Sequence, residues 1–389
     1  MWKRIAAIAF IFICTSAAWM ILGGTILMRT DSSETRLRGR VQSVWGVPQT
    51  QQQPVAEYDV PDSTDKHTFP PSASDIDAGL RLEYRQKGLL WYSAYKVAFR
   101  GDYEFHNTTG SKRTLRLALP LPAAQAIYDD LQFVVDGAPR TPVIDKQRAY
   151  VPVDAEPDQT VKLQVNYRSQ GLDSWRYSFG ENVNPVSNFH LRMTTDFRDI
   201  DFPDNTLAPA EKKEVPGGWQ LDWNYRNLLS GYEIALAMPE KLQPGPLASQ
   251  ISFFAPVSLF FFFFVLLLIT TLRDIDLHPM NYFFLAGAFF AFHLLLAYLV
   301  DHIDIWIAFL TAAAVSVFLV ISYLRLVTGM NGALREAATA QVLYLVLFSL
   351  AFFFKGFTGL AITIGAVVTL FVAMRTTGRI RWSERFAAR

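Results

Sequence analysis

A chain of 389 residues, 51% hydrophobic and 18% charged, has length for roughly two or three domains. Its net charge of +1 excludes the basic surface of a nucleic-acid binder. With Cys14 as its single cysteine, it can form neither an internal disulfide framework nor a cysteine-based metal site. The apolar residues gather in one block at the start and a longer one from Ile251 onward, which is how membrane proteins distribute them.

The first block, Ile5 to Met28, is preceded by Lys3 and Arg4 and followed by Arg29. It is long enough to cross a bilayer, where lipid offers no partner for backbone amides and carbonyls. It exceeds the usual apolar core of a signal peptide, and no clean cleavage site follows "TSAA", so an uncleaved anchor is expected.

Between about Gln51 and Asp77 the chain is rich in Gln, Pro, Ser and Asp, and the composition predicts an extended linker or a floppy insertion. From Leu80 short alternating runs take over. "TLRLALPLP" sets Leu115, Leu117, Leu119 and Leu121 on one face, and "TVKLQVNY" sets Val161, Leu163 and Val165 opposite Lys162, Gln164 and Asn166. Bounded by "NTTG", "DG" and "GG", such runs predict antiparallel strands with one wet face, and two such sheets must bury their apolar faces together. A β-sandwich over Leu80 to Pro244 is expected.

The C-terminal block divides into five further spans: Ile251–Leu272, Met280–Val300, Ile305–Leu324, about Ala338–Phe354 and about Phe357–Met374. One side of the alternation collects Lys3, Arg4, Arg273, Arg325, Arg335 and the five arginines of "RTTGRIRWSERFAAR", while the other short loops are "DHID" and "KGFTG". The excess of Lys and Arg predicts cytoplasmic termini and an extracytoplasmic segment 30–250. The expected fold is an α-helical membrane protein of six transmembrane helices with an extracytoplasmic all-β, sandwich-like domain. Residues 1–29 would be the anchor, 30–79 a linker, 80–250 the periplasmic β domain, 251–374 a five-helix bundle and 375–389 a basic cytoplasmic tail.

No nucleophile elbow, HExxH, Walker loop, GxGxxG or paired Cys/His ligand set is present, so no catalytic residue, cofactor or metal is expected. Asp196, Asp199, Asp201 and Asp204 crowd into "TTDFRDIDFPDN", but their spacing is not that of an EF-hand and reads as an exposed loop. His67, His106 and His190 are widely separated and read as solvated or core-edge histidines. "NTT" at Asn107 to Thr109 fits a glycosylation acceptor but reads better as a turn.

His293 lies deep in the third span, which makes it the intramembrane candidate, because ionisable groups at that depth are expensive. A neutral imidazole can equally serve as packing glue, and no carboxylate or cation lies inside a span to relay a proton with it. Asp301, His302 and Asp304 on one side, and Asp276 and His278 on the other, read as the punctuation of helices that end at headgroups. Pro279 starts the following helix, where its missing N–H costs nothing. Small residues at Ala308, Ala312 and Ser316, and at Ala361, Gly365 and Thr369, predict close helix packing.

The segment "LHPMNYFFLAGAFFAFHLLLAYLVDHI", Leu277 to Ile303, resembles the inner membrane protein CreD family, also called Cet. The same holds for "VQSVWGVPQTQQQP", Val41 to Pro54, after the first span. His278, Pro279 and Met280 match the family motif, with no chemistry attached to them. The continuation "QQQPVAEYDVP" departs from the family pattern and marks a divergent member. The resemblance implies a bacterial inner-membrane protein of envelope stress and integrity, under two-component control and without established catalytic residues. The expected function is non-enzymatic: membrane-embedded, with the β domain holding another envelope protein or a cell-wall component. Strand edges and the aromatic stretch Leu89 to Phe99 are the expected contact surfaces. The alternatives are passage of a small solute or ion through the bundle, and a hydrolase acting on envelope material.

Overall fold

The computed structural model describes residues 2–59, 66–87, 90–124, 126–180, 183–273, 275–328, 331–354 and 356–378. The chain divides into two compact units, Met1–Thr35 with Leu242–Arg389, and Arg36–Lys241.

The first unit carries six helices long and apolar enough to cross a membrane. They are α1 (Trp2–Trp45), α2 (Pro244–Leu272), α3 (Pro279–Leu299), α4 (Ile305–Thr328), a fifth span opening with α5 (Asn331–Gln341), and α6 (Thr358–Thr377). α2 begins before the expected Ile251, so Pro256 sits in its interior, which membrane helices tolerate. The fifth span is not a uniform α-helix. Beyond Gln341 it widens into a π-helical stretch, Val342–Leu347, and after Phe348–Leu350 tightens to a 3-10 turn at Ala351–Phe353.

Two ion pairs hold α1 along α3. Arg4 meets Asp276 at 2.8 Å, and Arg29 meets Asp301 at 2.8 Å while donating to the Ala297 carbonyl at 3.2 Å. Residues 4 and 29 lie as many positions apart as 276 and 301, so the two segments run parallel. The intervening helix rises about 37 Å, slightly more than a hydrocarbon core of roughly 30 Å. Between the clasps Trp19 is fully buried beside Phe290 and His293. The Ser249 hydroxyl of α2 donates to the Gly23 carbonyl of α1, and a Cβ on Gly23 would meet the Phe253 ring at 3.1 Å.

Of the two expected small-residue stripes, Ala308, Ala312 and Ser316 are buried, and Ser316 donates to the Ala288 carbonyl of α3. The other is not: Ala361 and Gly365 are exposed along a cleft they share with Leu343, Tyr344 and Leu347 of the fifth span, and only Thr369, bonded to Tyr344, is covered. Residues 379–389, most of the expected tail, lie outside the described residues.

The second unit is a β domain of strands β1 (Gln49–Gln52) to β16 (Ile234–Ala237) in three sheets. The largest has the order β14-β15-β13-β4-β5-β11-β7-β8, with β14 at Glu211–Val215, β15 at Gly218–Ser230, β7 at Tyr128–Val135 and β8 at Ala138–Arg140. In it β4 (Ala73–Lys87), β5 (Leu90–His106) and β11 (Thr160–Leu172) pair antiparallel in long registers, and β13 (Asn184–Thr195) joins β4 in parallel. The period-two pattern does what it predicts: Val161, Leu163 and Val165 point inward and Lys162 outward. They meet Leu115, Leu117 and Leu119 of β6 (Arg113–Pro120) and together form one sandwich-like core. β6 lies in the five-stranded sheet β3-β2-β6-β10-β9, with β3 at Lys66–Phe69, β2 at Val55–Asp59, β10 at Arg148–Ala155 and β9 at Val143–Asp145. The third sheet, β1-β12-β16 with β12 at Ser174–Ser178, adds Trp175, Tyr177, Ile234 and Leu236 to it. Burial in this core raises the phenols of Tyr95, Tyr167 and Tyr177 well above their ordinary range.

The segment 30–79 is not a linker. It holds the end of α1, β1, β2 (Val55–Asp59), β3 (Lys66–Phe69) and the start of β4. The alternation there is carried by polar residues. Gln49 donates to the Ser169 hydroxyl at 2.7 Å and to the Gln170 carbonyl, and Gln51 accepts from the Tyr167 hydroxyl at 2.6 Å. Gly46 ends α1 with φ +97°, its N–H on the Gln42 carbonyl, and a Cβ there would lie 2.5 Å from the Gln170 carbonyl oxygen.

Gly46→Ala therefore combines a disfavoured backbone with a backbone clash. It is expected to destabilise the β domain by roughly 2 kcal/mol or more, read from urea unfolding of the full chain by tryptophan fluorescence. In the helical unit, Arg29→Asp sets like charges together and should lower the thermal midpoint in detergent. Adding Asp301→Arg to it should recover about 1 kcal/mol, the scale of one restored pair.

Candidate functional site

His293 is buried at the contact of α3 with α1. Its Nδ1 lies 2.9 Å from the Phe289 carbonyl oxygen one turn back, so Nδ1 carries the proton and donates, leaving Nε2 as a bare acceptor. Nε2 has no partner among the described residues, nor has the Trp19 indole N–H, whose ring stands edge-on to the imidazole at 5.4 Å. Phe292 packs on another side at 4.9 Å. No described acid or base touches the ring.

A second polar group lies between α2, α4, the fifth span and α6. Gln341 donates to the Ser316 hydroxyl at 3.2 Å, Ser258 donates to the Tyr344 carbonyl, and the Tyr344 and Thr369 hydroxyls lie 2.6 Å apart. The Tyr344 bond falls in the π-helical stretch, where the widened turn disturbs the regular backbone ladder. These groups bond from helix to helix.

The motif residues occupy a helix start. His278 is the N-cap of α3, its Nδ1 accepting from the Met280 N–H at 3.2 Å, and Pro279 takes the first helical position. In the opposite turn Asp301 pairs with Arg29, and Asp304 accepts from the Trp306 N–H at 2.9 Å.

In the β domain the four aspartates do not converge. Asp196 accepts from the Leu82 N–H, the backbone of Asp201 pairs with Ala237, and Asp199 and Asp204 are exposed. No group of three or more His, Cys, Asp or Glu among the described residues is placed to share a metal ion. His67 stacks on Tyr58, and His106 lies 3.2 Å from the Thr160 hydroxyl. His190 stands between Asp75 at 2.7 Å and Asp222 at 3.4 Å. Desolvation works to raise the Asp222 carboxyl, but hydrogen bonds from Gln220, Arg192 and His190 outweigh it and hold that pKa below the usual range.

Asn107 is fully buried. Its amide donates to the carbonyls of Ser111, Ala155 and Glu156 while its oxygen accepts from Thr109, so it organises a turn and is closed to a glycan. The aromatic stretch expected as a contact surface is mainly interior: Tyr92, Tyr95 and Phe99 are buried, and Trp91 lies under the Lys241 ammonium at 3.7 Å. Leu89 lies outside the described residues. What sequence reasoning missed is the row of inward glutamines, Gln49, Gln51 and Gln53. The signal for it was the period-two spacing inside "PQTQQQP".

No curated protein matches the chain. Among solved structures, a protein of Legionella pneumophila named as a candidate nutrient binding protein is similar over 56% of this chain and 76% of its own, with 11% identity and a TM-score of 0.35. An M1 zinc metallopeptidase from Deinococcus radiodurans is similar over 43% of this chain and 42% of its own, with 13% identity and a TM-score of 0.26. Scores this low carry no inference about chemistry. The description Inner membrane protein CreD, by contrast, matches residues 1–383, from the first helix through the last and across the whole β domain. That coverage includes both segments that carry the resemblance, and the chain belongs to the inner membrane protein CreD family.

Proposed function

We propose that the chain is a non-enzymatic protein of envelope stress and integrity, anchored in the inner membrane with both termini in the cytoplasm and its β domain in the periplasm. The observation that carries this reading is the insertion of a β domain, Arg36–Lys241, between the first and second of six spans. An even number of crossings returns the chain to its starting side, and the Lys/Arg bias of the short loops assigns that side to the cytoplasm. On this reading Arg4 and Asp276 lie at the cytoplasmic end of the clasp, and Arg29 and Asp301 at the periplasmic end.

The non-enzymatic part rests on what the candidate side chains already do. Asp276, Asp301, Asp304, Asp196 and His278 are each engaged in a clasp, a cap or a strand contact. The β domain then acts by binding an envelope protein or cell-wall component. Its outer strands in the large sheet are poorly suited to accept a further strand: β14 (Glu211–Val215) reads "EKKEV" and β8 (Ala138–Arg140) reads "APR". Charge and proline are the standard means of blunting a sheet edge. A partner is therefore held by side chains, in a cleft or on a face.

A second reading, solute passage through the bundle, is favoured by the unpartnered His293 Nε2 and Gln341 Oε1 within the spans. His293→Ala separates the two. On the first reading the variant sustains survival under a detergent challenge as well as wild type in cells deleted for the chain, and passage through the bundle predicts loss. Compartment reporters provide the topological test. Alkaline phosphatase inserted after Gly217 should be active, and the same enzyme fused after Arg389 should be inactive; equal activity at both positions would overturn the topology.

A further inference from the structure

The inward glutamines do not all end alike. Gln51 is hydrogen-bonded at both ends of its amide, and Gln49 donates inside the core while its Oε1 stays without a partner among the described residues; Gln53 alone of the three reaches the wall of a cleft, of about 590 Å³. Gln53 is only 7% exposed, and its Oε1 has no partner among the described residues. A buried amide end left unbonded is costly, and within a binding cleft that cost is removed when a ligand bonds it. The volume falls in the range of small-ligand sites.

The surrounding residues narrow the ligand. Gln52 and Gln147 bring two more primary amides, and Phe69 and Phe179 bring aromatic rings. Of the described residues lining the cleft only Arg148 is charged, and it is paired with the buried Glu57 carboxylate. The lining is thus neutral as a whole, which disfavours a phosphate or a free acid. Primary amides offer donor and acceptor side by side, the arrangement that vicinal hydroxyls or an N-acetyl group can use at both ends. Phenyl rings and prolines cover surface that is C–H rather than O–H. A ring with hydroxyls around its rim and C–H groups on its face meets both demands.

We propose that this cleft binds a neutral saccharide of the hexose or N-acetylhexosamine type, with Gln53 as its buried anchor and Gln52 and Gln147 at its rim. This rests on the reading that the β domain faces the envelope and holds a component of it.

The test uses the full chain in a detergent free of sugar headgroups, titrated calorimetrically with tetra-N-acetylchitotetraose and with maltotetraose. Saturable binding of one of them is expected, weakened at least about tenfold by Gln53→Ala and by Gln52→Ala, about 1.4 kcal/mol each. Gln52 is exposed, so Gln52→Ala should keep the wild-type thermal midpoint and remains informative if Gln53→Ala fails to fold. No saturable binding of either saccharide, or unchanged affinity in Gln52→Ala and Gln147→Ala, overturns the proposal. So does saturable binding of a neutral proline-containing peptide in place of both sugars. Failed titrations with an active phosphatase after Gly217 would remove the saccharide alone, whereas an inactive phosphatase there would remove the periplasmic reading beneath it.

Discussion

The helical unit depends on a constraint that lipid imposes and two ion pairs answer. A charge at the edge of a bilayer has few partners, and a helix inside it gains nothing from hydrophobic burial against another helix. Arg4 with Asp276 and Arg29 with Asp301 place opposite charges at both ends of one parallel pair, spaced to about the thickness of the apolar layer. Sliding α1 by one turn would break both pairs and carry a guanidinium toward the hydrocarbon. The clasps therefore set the register of α1, and Trp19 meets His293 and Phe290 at the level that this register dictates.

The β domain solves a different problem with polar residues. Its core is ordinary where β4, β5, β6 and β11 meet, with branched aliphatics and aromatics from opposed sheets. Where β1 enters, glutamines replace the aliphatics, and each inward amide needs a specific acceptor or donor because the interior supplies no water. Ser169 and Gln170 of β11 accept from the Gln49 amide and Tyr167 donates to that of Gln51, while the Gln49 Oε1 has no partner among the described residues. A glutamine row is more exacting than a leucine row: it is stable in one register only, and it fixes how β1 lies against the rest.

This contrast explains what was legible from sequence. The spans were readable because twenty apolar residues leave few alternatives, and the strands of β6 and β11 because apolar and polar residues alternate there. His278 and Pro279 could be assigned to a helix start because capping is local. The first strands were lost to a linker reading because "PQTQQQP" alternates buried and exposed residues of one chemical type, a pattern that no hydrophobicity scale registers. The partners of Gln51 and Asp276 lie 116 and 272 positions away, so nothing near either residue announces them. The depth of His293 was plain from sequence; its proton on Nδ1 and its neighbour Trp19 needed coordinates. The aromatic run of β5 misled for a related reason, since exposure depends on which face of a strand is covered.

The parallel pairing of α1 with α3 also orders events during synthesis. Ser249 of α2 is made 226 residues after Gly23, and Asp276 is made 272 after Arg4, which at about 5–20 residues per second leaves α1 without either partner helix for a time on the order of tens of seconds. Throughout that interval Arg4 and Arg29 lack the two acids they later pair with, and the helix must be retained by its own lipid-facing side chains, among them Phe10, Ile13 and Ile21. The first helix is thus built to survive as a solitary membrane anchor until the second packs on it, and its two charges are answered only when the third arrives.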